Sequence, residues 1–295
     1  MAAAKTPEPV EFAVERSGGP VLRGDDAGAG FPIVLLHGLT ATRRNVVQGS
    51  RHLLTRGWRL VGYDARGHGE SSAAPAPDGY GYQELAGDLT AVLDARGIER
   101  AVLAGSSMGA GTAVRFALDS PERVAALALI TPPITPPFRR DDADDDSGLA
   151  VWDRRADALA AGDVEGFVDA TGVDALPERW RGPARLATRQ RIERHRDLAA
   201  VADALRGLPR SRLVGSLDEI AAIAAPALVV GSRDDGDPGH PLAIAEAYAE
   251  RLPHAELAVE EPGETPLAWQ GARLSRTIDE FLAGAAAGAI RASGS

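Results

Sequence analysis

The sequence predicts an α/β fold, a mostly parallel sheet wound with helices on both faces and interrupted by one helical insertion. Three observations carry this. Short apolar runs alternate with helix-period segments from Ile33 to Thr131. The alternation stops at a proline-rich and then acidic connector, "TPPITPPFRRDDADDDSG". It resumes at "PALVVGSRDDGDP" and runs to the C-terminus.

In chain order, "FPIVLLHG" opens with an apolar run, Ile33 to Leu36, that stops at His37-Gly38. Continuous β-branched and leucine runs of this length suit a strand buried on both faces. Thr42 to Arg56 places Val46, Val47, Leu53 and Leu54 at roughly helical spacing. "WRLVGYDARGHGESS" reads as a strand running into a glycine-rich loop. Tyr82 to Arg96 is the clearest helix, with Leu85, Leu89, Val92 and Leu93 on one side and Gly97 beyond its end. "AVLAGSSMG" is a strand, Thr112 to Leu118 a helix and "RVAALALI" a further strand.

After the connector, "VWDRRADALAAG", "DVEGFVDAT" and the long "PARLATRQRIERHRDLAAVADALRG" read as helices. The expected division is a core of residues 1–134 and 221–295, with 135–220 inserted. Trp152, Phe138, Phe167 and Trp180 are candidates either to line an apolar pocket or to form the insertion's own core. "PLAIAEAYAERL" is then a helix, "AELAVEE" a strand and "PLAWQGARLSRTIDEFLAG" a final helix with Trp269 in its core.

Composition narrows the function. The chain has 295 residues, 44% of them hydrophobic, and a net charge of −10. That charge argues against a nucleic-acid or acidic-membrane surface. With no cysteine, thiol nucleophiles, disulfides and thiolate metal sites are excluded. The N-terminal "MAAAKTPEPVEF" has no apolar segment of the secretory kind. No apolar run approaches the ~20 residues of a membrane span. The expectation is a cytoplasmic, cofactor-free protein without a metal, monomer or homodimer, acting on a small molecule.

"GSSMG", Gly105 to Gly109, matches G-x-S-x-G with Ser107 at its centre, between a strand and a helix. A serine on such a tight turn is held in a strained conformation, and small neighbours let the turn close. Its hydroxyl then stands at the head of the following helix, and the Met108 N–H points where a negative oxygen would sit.

With these motifs the sequence resembles the α/β-hydrolase family over nearly its whole length. His37-Gly38 matches the HG after an apolar strand. Asp64, Arg66, Gly67, Gly69 and Ser71 match D-x-R-G-x-G-x-S, and Ser107 matches the nucleophile elbow. The resemblance implies a second oxyanion donor just after His37-Gly38, at Leu39, and a helical cap after the strand ending at Ile130. It also implies a carboxylate after the next-to-last strand. There Gly231, Asp234 and Pro238 fit best, while Asp235 and Asp237 read as solvated turn residues near a helix start.

The family's histidine follows the last strand, before the final helix. In "EEPGETP" its place is taken by Glu264. Imidazole has an unperturbed pKa near ~6.5, suited to taking and returning a hydroxyl proton. A carboxylate, near ~4.3, is a weaker base unless burial raises it. The other histidines are His37, in the oxyanion-loop motif; His52 and His68, in a helix and the glycine-rich loop; His195, in the arginine-rich insertion helix; His254, in a turn; and His240. His240 shares the loop of the acid, although a helix-start histidine beside Pro241 is its plainer reading. The readings left open are ester hydrolysis through Ser107 with Asp234 and either Glu264 or His240, non-hydrolytic chemistry using an oxyanion hole and carboxylates, and a silent ligand-binding relative.

Overall fold

The computed structural model describes residues 7–134, 147–233, 237 and 239–291. Eight strands form one sheet: β1 (Val10–Glu15), β2 (Val21–Ala27), β3 (Pro32–Leu36), β4 (Arg59–Tyr63), β5 (Ala101–Ser106), β6 (Val124–Ile130), β7 (Ala227–Val230) and β8 (Ala255–Ala258). Their spatial order is β1-β2-β4-β3-β5-β6-β7-β8. β1 and β2 run antiparallel to their neighbours, and every pair from β4 to β8 is parallel. The apolar runs explain the centre: all seven residues of β6, "VAALALI", are buried. Such strands need helices on both faces.

Those helices are α1 (His52–Thr55), α2 (Tyr82–Ala95), α3 (Met108–Asp119), α8 (Leu242–Arg251), α9 (Gly271–Ala283) and α10 (Ala287–Arg291). One apolar cluster joins α2, α3 and α8 to one face of the sheet, with Leu89, Val114, Leu127 and Tyr248 among its members. A second joins Ile33, Val102, Ala126 and Val230 to Leu274 and Ile278 of α9 on the other face. Between β6 and β7 the chain inserts α4 (Ser147–Ala160), α5 (Val164–Ala170), α6 (Glu178–Ile192) and α7 (Leu198–Gly207). They bury a cluster of their own around Leu159, Phe167, Ile192 and Leu205.

Three local readings are corrected. The periodicity over 42–56 yields a helix only at His52–Thr55, because Gln48 and Gly49 take φ of 47° and 74° and break it. The long helix expected over 183–207 is two. Asp197 accepts a hydrogen bond from the Ala200 N–H and starts α7 afresh. Trp269 lies in a 3-10 turn ahead of α9, 36% exposed, with its ring edge-on to Trp180 at 5.8 Å. Of the aromatics considered as pocket lining, Phe167 is 1% exposed in the insertion core, with Trp152 and Trp180 packed against that core. Phe138 lies outside the described residues. The antiparallel β1–β2 hairpin adds an edge with no strong apolar run to announce it: β1 shows one fully buried residue, Val14.

Among the described residues no helix is long and apolar enough to cross a membrane.

Candidate active site

The site lies at the carboxyl ends of β3, β5, β6 and β7, where open α/β sheets place their ligands. Three non-glycine residues with positive φ gather at these strand ends: Thr40 (69°), Ser107 (50°) and Thr131 (43°). Each such residue costs on the order of 1–3 kcal/mol, held only when the surrounding packing dictates it.

At Ser107 that packing is visible. A Cβ on Gly105 would meet the Gly109 backbone at 2.3 Å, and one on Gly109 would meet the Leu36 carbonyl oxygen at 2.0 Å. Only glycine lets β3, β5 and α3 approach this closely. The Ser107 N–H donates to Ile130 at 2.9 Å, and its carbonyl accepts from Gly111 at 3.0 Å, so the turn is anchored on both sides. Met108 is the first residue of α3, and a helix cannot satisfy its own first four N–H groups. Gly38 lies close by: a Cβ there would stand 3.6 Å from that of Ser107. Leu39 follows it and packs against both the sheet cluster and the insertion cluster.

The histidine on Ser107 is His240. Its Nε2 stands 2.8 Å from the Ser107 Oγ, and its Nδ1 2.9 and 3.0 Å from the two carboxylate oxygens of Asp237. Burial would raise the Asp237 carboxyl, but the charge and hydrogen bond of His240, the Arg191 charge and the Gly239 N–H outweigh it and hold the group below its ordinary value. An ionised carboxylate only accepts, so Nδ1 carries the imidazole proton and Nε2 offers its lone pair to the Ser107 hydroxyl.

Asp237 and His240 are three residues apart. The His240 N–H donates to the Asp237 carbonyl at 3.1 Å and closes a four-residue turn. The sequence there reads Asp-Pro-Gly-His, and proline and glycine are residues that favour turns. This was the overlooked signal: a turn tetrapeptide with an acid at one end and an imidazole at the other brings both together without a second loop. The readings of Asp237 as a solvated turn residue and of His240 as a plain helix-start histidine are therefore corrected. Asp234 and Asp235 lie outside the described residues.

Glu264 stands elsewhere. Its carboxylate pairs with Arg273 and accepts from the Glu261 N–H at 3.2 Å, with the side chain 44% exposed. Those partners, Arg273 first, lower its pKa, the opposite of what a base in this role needs. It thus closes a surface turn with these partners, and the imidazole found against Ser107 is that of His240. Glu260, four residues earlier, is 1% exposed. It accepts from the Ser232 Oγ at 3.0 Å, from the Arg233 N–H and from the Leu267 N–H at 3.1 Å. It therefore ties the loop after β8 to the loop after β7.

The remaining motif residues build the frame. His37 Nδ1 donates to the Gly38 carbonyl at 2.8 Å, and its Nε2 accepts from the Ala65 N–H at 2.9 Å. The Asp64 carboxylate accepts from the N–H groups of Arg43 and Glu70 at 2.8 and 3.0 Å, and a Cβ on Gly69 would meet it at 2.2 Å. Arg66 forms a fork on Asp88 at 2.7 and 2.8 Å. Ser71 Oγ donates to the Asp64 carbonyl at 2.6 Å and accepts from the Arg23 N–H at 2.9 Å.

The insertion is pinned here as well. His195 Nε2 donates to the Thr40 carbonyl at 3.1 Å, and its Nδ1 accepts from the Gly69 N–H at 2.8 Å. The solvated face read for His195 from the sequence is corrected: it is 8% exposed.

Comparison with known proteins agrees with this architecture. Residues 32–272 match the model of the alpha/beta hydrolase fold family. The chain is 32% identical over 213 residues to a protein of Klebsiella pneumoniae named "Putative carbamate hydrolase RutD", covering 70% of this chain and 74% of that one. A thermophilic esterase from Thermogutta terrifontis, solved with malate bound, superposes with a TM-score of 0.76 at 26% identity over 94% of this chain and 99% of the esterase. An enol-lactonase from Burkholderia xenovorans shares the fold, with a TM-score of 0.74 at 23% identity over 93% of this chain and all of the other. The strand order, the glycine-bound turn at Ser107 and a family match spanning most of the sequence lead to one assignment, that this chain belongs to the α/β-hydrolase fold family.

Proposed function

We propose that the chain is a cofactor-free serine hydrolase that cleaves an ester, or a chemically related acyl bond, of a small organic molecule. Ser107 is the nucleophile, His240 the general base and acid, and Asp237 the group that orients the imidazole. The helical insertion, 135–220, is the cap over this site. The observation that carries the reading is the 2.8 Å contact from Ser107 Oγ to an imidazole whose other nitrogen is held by a carboxylate. An alcohol needs such a base to become nucleophilic.

The steps follow from the geometry. Ser107 Oγ attacks the carbonyl carbon as its proton passes to His240 Nε2. The carbonyl oxygen becomes an oxyanion that takes hydrogen bonds from the Leu39 and Met108 N–H groups. The intermediate collapses, and the leaving alkoxide takes the proton from His240. Water then repeats the sequence on the acyl-serine and releases the acid. The names of similar proteins, a carbamate hydrolase and an esterase, are compatible with acyl chemistry of this type.

The test is labelling by a fluorophosphonate probe with peptide mass spectrometry. Stoichiometric labelling at Ser107 is expected in the parent chain and in Glu264→Gln, and its loss in His240→Ala. An unlabelled parent, or a His240→Ala chain labelled at the parent's rate, overturns the reading.

A further inference from the structure

Arg191 is a charged side chain whose charge reaches Asp237 without a direct contact. It sits in the last turn of α6, and its Nε is buried without any hydrogen-bond partner. Among the described residues it makes no hydrogen bond and no ion pair. A guanidinium cannot shed its proton in a protein, and a partly buried charge left without a direct partner is costly. A fold that keeps one has a use for it.

Its place suggests the use. One helical turn further on, His195 docks on the Thr40 carbonyl at 3.1 Å and the Gly69 N–H at 2.8 Å, and the Arg196 N–H donates to Gly69 at 3.1 Å. Thr40 adjoins Leu39, so this end of α6 is fastened to the loop beside Ser107. Ile192, next to Arg191, is wholly buried in the insertion core, which fixes how the turn faces. The Asp237 charge also reaches Arg191, and each shifts the other's proton affinity without forming an ion pair.

A second cation reinforces the first. Arg155 of α4 donates to the carbonyls of Ala170 and Thr171 at 3.1 and 3.2 Å and lies over the Trp152 ring at 4.8 Å. It has no carboxylate partner among the described residues. Burial, then the charges of Arg154 and Arg191, lower its proton affinity, which places the two guanidiniums in one another's field. A chain of net charge −10 thus keeps two guanidiniums in its insertion without a carboxylate partner among the described residues. Low-dielectric surroundings strengthen the pull of such charges on an incoming anion.

We propose that Arg191 is a specificity residue that binds a carboxylate carried by the substrate, so that the preferred substrates are acyl compounds bearing an anionic group on the side facing α6. The planar guanidinium fork matches a carboxylate, and charge-assisted hydrogen bonds of that kind are the strong ones. This inference rests on the hydrolase reading for its chemistry, but its binding step does not require turnover.

The experiment is therefore calorimetric, on full-length Ser107→Ala. The probes are the monomethyl esters of succinate, glutarate and adipate, each paired with its uncharged dimethyl ester. At least one monoanion is expected to bind about tenfold or more tightly than its neutral partner. Adding Arg191→Gln is expected to bring that ratio close to one, and Arg191→Lys, which keeps the charge, to preserve part of it. Thermal melts report whether each variant is folded. No measurable monoanion binding up to millimolar concentration, a ratio near one, or a ratio that survives Arg191→Gln overturns the inference. A preserved ratio in a chain whose Ser107 resists fluorophosphonate sinks the hydrolase reading instead.

Discussion

The loops that leave β7 and β8 are neighbours, since the two strands pair in parallel, and both are rich in carboxylates, yet they do different work. The loop after β7 brings Asp237 and His240 to Ser107. The loop after β8, where the family resemblance put the histidine, spends its carboxylates on the frame: Glu260 takes N–H groups from both loops, and Glu264 pairs with Arg273 at the surface. The difference teaches that a base is defined by where its nitrogen stands, not by which strand precedes it. The same constellation of roles recurs on unrelated chains in different orders. In the proposed reading, an acid and a base on one turn replace an acid and a base on two loops. The second loop, relieved of its imidazole, buttresses the first.

The sharpest way to break this comparison is to remove the imidazole. His240→Ala is expected to lower kcat on a p-nitrophenyl ester by about 10⁴ or more, and Asp237→Asn by about 10⁴, while oxyanion binding leaves a residue of activity. Both side chains are partly exposed, at 25% and 21%, so their loss should spare the fold. Either variant retaining more than a tenth of the parent kcat would return the base to another group.

A second contrast separates His240 from the buried histidines His37, His68 and His195. These stack in a row, with ring centroids 5.1 and 5.5 Å apart. His37 and His195 each accept a backbone N–H on one nitrogen, so a second ring proton would face a donor. Burial lowers all three, His68 well below its ordinary value and His195 to about 4. The unfolded chain therefore takes up protons first as pH falls. The stability these groups contribute is complete above pH ~6.5 and is lost progressively toward pH ~4, for His195 on the order of 3 kcal/mol. Urea midpoints at pH 7, 5.5 and 4.5 should fall steeply in the parent and less steeply in His195→Gln. Parallel slopes would mean that the ring joining α6 to Thr40 and Gly69 carries no such linkage.

Glu260→Gln tests the buttress. One amide end would present N–H groups to a donor, either the Arg233 or the Leu267 N–H. A buried donor left unsatisfied costs about 1–3 kcal/mol. A lower urea midpoint at pH 7 is expected, together with a smaller fall in kcat than in His240→Ala as the β7 loop loosens. An unchanged midpoint would show that the two loops are not coupled through this carboxylate.

How much of this was legible in the sequence depends on whether a signal is local. The buried strands announced themselves because a run such as "VAALALI" admits few other fates. The turn at Ser107 was legible because its glycines answer to contacts as close as 2.0 Å, which no other residue tolerates. The break in periodicity after Ile130 marked where the chain leaves the sheet for α4 to α7. The placement of His240 was not, because an imidazole three residues beyond an aspartate is common in turns, and only the approach of α3 to the β7 loop gives it a serine to meet. Glu260 and Arg191 were missed for a related reason. What distinguishes them is a burial and a set of partners, or a lack of partners, that tertiary packing alone creates.

The smallest expected effect is the one that most directly checks the comparison. Glu264 occupies the chain position at which the resemblance expects the base, so Glu264→Gln should be severe if sequence position rules and nearly silent if geometry rules. Its carboxylate is exposed and takes its hydrogen bonds from Arg273 and the Glu261 N–H. Glutamine can still accept from both and loses only an exposed ion pair, worth at most about 1 kcal/mol and usually less. Activity within about twofold of the parent, and a urea midpoint barely moved, are expected at pH 7. A hundredfold loss of kcat with the fold intact would mean that this carboxylate reaches the reaction during turnover. The relay would then have to be rebuilt around the loop after β8, with His240 demoted to support.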